Sequence, residues 1–148
     1  MIFNNYLAMR RIGELRSSKL SGDLILEIHR IVTEKTLDRP EFVGSFQNSG
    51  DVRIGVYDHE NNLLYQPPPA KEIQQRMKAL CRFANGESEG GYLPPVLRAV
   101  TVHFMLSYVH PFEDGNGRTA RALFYWSMLN QGRRSRIYSF AGKIFNAI

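Results

Sequence analysis

Cysteine is nearly absent from this chain: Cys81 stands alone among 148 residues, so no intrachain disulfide can form. A single thiol of this kind suits a reducing cytosol, and Cys81 reads as a small apolar helix residue rather than a reactive group. Long apolar runs are missing as well. None approaches the roughly 20 residues that a membrane-spanning helix needs. The opening stretch, Met1-Ile-Phe-Asn-Asn-Tyr-Leu, has neither the basic region nor the long apolar segment of a signal peptide. No membrane partner is expected, and the expected compartment is the cytoplasm, with export as an effector the alternative. No internal repeat or low-complexity segment stands out. Acidic residues are missing from one region: residues 131–148 carry four bases and no acid, giving +4. Residues 1–20 contribute +3 and the remainder −2, which makes up the net charge of +5. The positive charge thus sits at the two ends. No nucleic-acid motif accompanies it, so solvated ends are favoured over a nucleic-acid contact.

What is present fits an ordinary globular protein, with 43% hydrophobic and 22% charged residues. A single domain over residues 1–148 is expected from the length. Helical spacing predicts a first helix over residues 4–15, with Leu7, Ile12 and Leu15 turned inward. Ser21 reads as the N-cap of a second helix over 22–35, where Leu24, Ile25, Ile28, Ile31 and Val32 recur at helical spacing. Between residues 37 and 65 the helical period vanishes. Val52-Arg53-Ile54 alternates as a short strand would, Asp58–Asn62 reads as a turn, and Leu63–Tyr65 as a second strand.

Pro67-Pro68-Pro69 ends the extended piece and opens a helix over 70–84, whose stripe is Ile73, Met77, Leu80, Cys81 and Ala84. Gly86 is its expected stop. Pro94-Pro95 starts the next helix, running to Val109 and apolar on most faces, which predicts a helix at the centre of the fold. A last helix is expected over 117–130, with Gly132 at its end. His29, His59 and His103 stand in no metal-ligand spacing and read as surface or satisfied helix residues. The expected class is mostly α with one small β-excursion.

One stretch carries chemistry: His110-Pro-Phe-Glu-Asp-Gly-Asn-Gly-Arg-Thr-Ala-Arg121. Pro111 biases His110 out of helical geometry, so the preceding helix should end there. Gly115 and Gly117 bracket Asn116 and permit backbone angles that other residues avoid. A helix N-terminus follows, whose free N–H groups and dipole favour an anion, and the glycines let a phosphate approach the backbone. Arg118 and Arg121 share a helix face and can reach one polyphosphate. Asp114 offers a hard oxygen ligand suited to Mg²⁺, and His110 a base near neutral pH. Any two of these features would fit an ordinary helix corner. All of them in order suit attack on a nucleotide phosphate.

The segment His110–Arg121 matches the signature of the Fic family, His-Pro-Phe-x-Asp-Gly-Asn-Gly-Arg-x-x-Arg, at every defined position. Most of the chain resembles that family in the order of its parts: a helical pair, a flap around Val52-Arg53-Ile54-Gly55, a proline run, and a helix leading into the motif. The resemblance implies a mostly α, Fic-like helical domain with a β-hairpin flap over the active-site loop. It implies a protein adenylyltransferase that moves AMP from Mg-ATP to a Ser, Thr or Tyr hydroxyl of a target protein. His110 would be the general base, and Asp114 the Mg²⁺ ligand. Asn116 and the backbone of Gly115 and Gly117 would hold the α-phosphate, Arg118 the phosphate tail and Arg121 the γ-phosphate. Phe112 would anchor the loop in the core, and Val52–Gly55 would dock the target as an added strand.

Two departures from the family pattern bear on function. Gln47 stands where relatives often carry a basic residue. The inhibitory signature, Ser or Thr four residues before a Glu followed by Gly or Asn, does not occur: Asn85 precedes Glu89-Gly90 and Val56 precedes Glu60-Asn61. Restraint would then come from a partner such as an antitoxin or from a segment outside this chain, or the domain lacks the brake. Related domains usually continue past this point, so a chain truncated at one or both ends is also expected. The alternatives are a Fic-fold phosphotransferase, another nucleotidyl or phosphocholine transfer, AMP removal, or a non-catalytic binding module. Gly117 argues against the phosphotransferase, because the kinase-like branch carries lysine there.

Overall fold

Residues 2–87 and 92–132 are described by the computed structural model, and most of them lie in five α-helices. These are α1 (Ile2–Glu14), α2 (Gly22–Thr33), α3 (Ile73–Ala84), α4 (Pro95–Val109) and α5 (Asn116–Gly132). Two short strands, β1 (Val56–Tyr57) and β2 (Leu63–Tyr65), pair antiparallel between α2 and α3. Local chemistry sets most of the boundaries. Ser21 is extended and its Oγ accepts the Leu24 N–H at 3.2 Å, capping α2. Pro69 leads into a 3-10 turn over Ala70–Glu72, which runs on into α3. Gly86 turns the chain after α3 at a φ of 75°.

Two expectations are corrected. The helix most enclosed by others is α5, not α4. Thr119, Ala120, Ala122, Leu123, Trp126 and Ser127 are buried along α5, which packs against α1, α2 and α4. Its small residues let neighbouring backbones approach closely, so it sits at the centre without being uniformly apolar. By contrast α4 buries Ala99, Val102, Leu106 and Val109, while Val96, Leu97, Val100 and Phe104 face outward.

The second correction concerns the flap. Val52-Arg53-Ile54 lies in no strand among the described residues, and the first strand of the hairpin begins at Val56. The turn sets this register: Asp58 accepts N–H groups of Glu60 and Asn62 through one carboxylate oxygen, with Asn61 left-handed at a φ of 62°. Val56 opposes Tyr65, so continuing the ladder would place Ile54 opposite Pro67, which has no N–H to give.

The core gathers Ile12, Ile25, Ile28, Ile73, Leu80, Leu106, Phe112, Leu123 and Trp126, all fully buried. Cys81 lies at its edge, and burial pushes its thiol up to about 11, which keeps it protonated at neutral pH. No helix among the described residues is long and apolar enough to cross a membrane.

Candidate active site

α4 ends where Pro111 forbids its continuation. His110 takes a left-handed conformation, φ 51° and ψ 54°, while its N–H still bonds the Leu106 carbonyl at 2.9 Å. That reversal folds the ring back over the last helical turn, and Nδ1 lies 3.3 Å from the Ser107 carbonyl. A carbonyl can only accept, so Nδ1 carries the proton in the neutral ring and Nε2 keeps its lone pair. Burial first, then the nearby Arg53 charge, lowers the His110 pKa; the Ser107 carbonyl and Asp114 oppose this without prevailing. The ring is therefore uncharged at neutral pH.

The loop from Pro111 to Gly115 is held by three clamps. Asn116 closes it from within: its Oδ1 accepts the Phe112 N–H at 2.9 Å and its Nδ2 donates to the Phe112 carbonyl at 2.8 Å. The Asn116 side chain is thereby committed to the loop, and what it offers a phosphate is its backbone. Phe112 is fully buried and stacks on His29, with centroids 3.7 Å apart and planes 7° from parallel. His29 itself bridges two loops. Its Nδ1 accepts the Gly44 N–H at 2.9 Å, which requires Nε2 to carry the proton and donate to the Asp114 carbonyl at 2.9 Å. The expectation of a satisfied helix residue holds, but its role in fixing the loop was not foreseen. The signal available was its place on the buried stripe of α2, four residues from Ile25 and three from Val32.

Gly115 completes the turn at a φ of 81°. A side chain there would run into Thr33 Cγ2 and lie 3.1 Å from His29 Nε2. Gly115→Ala is expected to cost about 2–4 kcal/mol, from the left-handed backbone and from overpacking. Denaturant unfolding measures this directly, and an unchanged midpoint would mean that the loop relaxes freely.

Beyond Gly115 the first turn of α5 presents N–H groups that have no partner within the helix. Asp114, with 64% of its side chain exposed, receives Arg118 Nη2 at 2.8 Å on Oδ2. The other guanidinium nitrogen of Arg118 donates to Thr36 Oγ1 at 2.5 Å, which holds the arginine against the end of α2. Arg121 is exposed one turn on, its Nη1 close to Gly117. His110, Asp114, Gly115, Asn116, Gly117, Arg118 and Arg121 are thus presented by one loop and one helix end.

The flap residues divide. Val52 is 90% exposed and Ile54 lies at the surface. No hydrogen bond among the described residues uses the backbone of Val52–Gly55. Arg53 instead turns inward to the end of α4. A cavity of about 440 Å³ opens beside Asp114, lined also by Leu37, Asp38, Arg39, Phe42, Ile54 and Glu113. It lets a ligand touch the flap and the motif loop at once. Among the described residues no group of three or more His, Cys, Asp or Glu is placed to hold a metal.

This arrangement is that of a known family. Residues 19–128 match the model of the Fic/DOC family, and the chain belongs to it. It is 31% identical over 117 residues to the protein adenylyltransferase Fic of Nematostella vectensis, covering 79% of this chain and 25% of that protein. A Fic domain-containing signaling protein of Bacteroides thetaiotaomicron superposes with a TM-score of 0.71 at 25% identity, over 87% of this chain and 47% of that one. Fic-1 of Caenorhabditis elegans gives 0.67 at 30% identity, over 87% and 36%. The chain spans about a quarter of the length of the curated relatives it matches.

Proposed function

We propose that this chain transfers AMP from ATP to a Ser, Thr or Tyr hydroxyl of a protein. The observation that carries the reading is the His110 ring, whose Nδ1 faces the Ser107 carbonyl and whose Nε2 makes no hydrogen bond among the described residues, one loop away from the N-terminus of α5. His110 Nε2 takes the hydroxyl proton as the hydroxyl oxygen attacks the α-phosphorus. The bond from that phosphorus to the bridging oxygen breaks, and pyrophosphate leaves with the electron pair. Backbone N–H groups at the start of α5 hold the α-phosphate through the change in charge, and Arg118 and Arg121 hold the phosphates beyond it. Little covalent help is required from the protein, because positioning and charge neutralisation dominate phosphorus chemistry. The backbone of Val52–Gly55, which makes no hydrogen bond among the described residues, suits addition of an extended target segment as a strand, which would bring its hydroxyl towards His110.

Mg²⁺ fits the residues present. Asp114 is an exposed carboxylate, and among the described residues it belongs to no group of three or more metal-ligating side chains, which suits an ion that takes one or two carboxylates together with substrate phosphates. When bound, the ion neutralises phosphate charge. Restraint by an inhibitory partner belongs to the same reading.

The test is incubation with Mg²⁺ and ATP labelled at either the α- or the γ-phosphate, with cell lysate supplying targets and His110→Ala as control. Label passing into protein from the α-position alone is expected. Passage from the γ-position would make the protein a kinase. No passage from either, with ATP still bound, would leave it a binding module.

A further inference from the structure

The last carbonyls of α4 have no partners within the helix, and the flap supplies them. Tyr65 of β2 donates its hydroxyl to the Tyr108 carbonyl at 2.9 Å. Arg53 Nη2 donates to the Val109 carbonyl at 2.5 Å and the His110 carbonyl at 2.8 Å. Arg53 Nη1 donates to Gln47 Oε1, and the Gln47 N–H donates to the Pro111 carbonyl at 2.9 Å. One guanidinium thus joins the flap, the segment before it and both sides of the His110 backbone. A cation at a helix C-terminus is also favoured by the helix dipole. The arrangement carries a cost, since Arg53 Nε is buried without a partner among the described residues.

We propose that Arg53 is a positioning residue for the transfer reaction: it locks His110 into its left-handed cap and makes the flap and the base one mechanical unit. The proposal rests on the reading of His110 as base. A target strand added along Val52–Gly55 would then bear on a segment whose middle side chain already grips the base. Two consequences follow. Without Arg53 the ring would no longer be held where its Nε2 meets the target hydroxyl. The ring would also lose the nearby positive charge of Arg53. The charged groups acting on it are Arg53 from the flap and Asp114 from the loop. Tyr65 and Tyr108 lie at this end of α4 with centroids 5.3 Å apart, and Arg76 of α3 lies over Tyr108. Burial pushes the Tyr65 phenol up to about 12, so it stays silent across the range in which His110 titrates.

The experiment compares the chain as it stands with Arg53→Gln and Arg53→Lys. His110 is titrated by NMR, and kcat and KM for ATP are measured across pH. Arg53→Gln is expected to move the His110 titration to higher pH and to lower kcat by roughly 10–100-fold, as a misplaced base would. The KM for ATP should stay within about twofold, because Arg53 touches none of the phosphate-binding groups. Arg53→Lys should return the titration towards its original position while recovering kcat only in part, because an ammonium cannot reproduce the planar fork. A His110 titration in Arg53→Gln that coincides with the parent's would overturn the proposal. Should Arg53→Gln not fold, Gln47→Leu removes the anchor but keeps the charge in the chain. Lower kcat with unchanged KM then supports the lock, and unchanged kcat sinks it. The NMR titration does not depend on AMP transfer. A His110→Ala chain that still transfers AMP would therefore remove the base reading while leaving the Arg53 link to be judged separately.

Discussion

His110→Ala should slow AMP transfer by about 10²–10⁴-fold, the usual worth of a positioned general base, while ATP affinity changes little. Among the described residues the His110 ring makes one hydrogen bond, to the Ser107 carbonyl at 3.3 Å, so its removal leaves little else unpaired. Its backbone is a separate matter. At a φ of 51° an alanine carries a left-handed penalty of about 1–2 kcal/mol, whereas asparagine adopts that conformation readily. His110→Asn is therefore the cleaner variant, since it keeps the loop and lacks the base. The pH dependence follows from the direction of the shift. A pKa below the ordinary histidine value keeps the ring neutral through pH 7, so kcat/KM should hold level there and fall only in acid. In His110→Asn that acid limb should vanish together with the rate. Undiminished transfer in a folded His110→Asn chain would exclude His110 as the base.

The two halves of the site differ in how far the sequence exposes them. The loop and α5 are built from neighbours: Pro111 stops a helix, Gly115 turns the chain, and Asn116 bonds Phe112 four residues away. The proline stop and the glycine turn are legible in consecutive residues, whereas the bonds from the Asn116 side chain to Phe112 are not, because the motif offers that side chain to a phosphate. Ser21 as a cap and β2 over Leu63–Tyr65 are legible in the same way as the stop and the turn. Arg53 and His29 are different. Arg53 reaches carbonyls 56 and 57 positions away, and His29 one 85 positions away. No local pattern marks either partner. The alternation of Val52-Arg53-Ile54 has the period of two that a strand shows. The same alternation arises when one side chain of an extended segment is drawn inward to cap a helix. The places of α4 and α5 were exchanged for a related reason. Apolar content measures what a helix can bury, whereas small residues at Thr119, Ala120, Ala122 and Ser127 decide how closely others approach α5.

Loss of the His29 ring should lower the folding stability by about 3–5 kcal/mol, a large part of the 5–15 kcal/mol typical of a domain. His29→Ala would leave the Gly44 N–H and the Asp114 carbonyl without their partner, at roughly 1–3 kcal/mol each where water does not replace it. It would also remove a stacked contact with Phe112, worth about 0.5–1.5 kcal/mol. The clamp has a pH signature too. Burial lowers the His29 pKa, with Arg118 and Arg30 adding to this and the Asp114 carbonyl and charge opposing it. A proton on Nδ1 would face the Gly44 N–H donor to donor, so the folded chain resists it. The unfolded chain binds that proton near the ordinary value of about 6.5. Stability is therefore fully present above that pH and falls as pH drops through it, by up to about 1.4 kcal/mol per pH unit per histidine. His110, shifted the same way, adds to the slope. Denaturant unfolding between pH 5 and 8 separates them: His29→Ala should remove one proton's worth of the slope, His110→Asn the other, and the double variant both. A slope that His29→Ala leaves unchanged would mean that the folded protein protonates His29 freely, and the bridge between Gly44 and Asp114 would then not be what holds the loop.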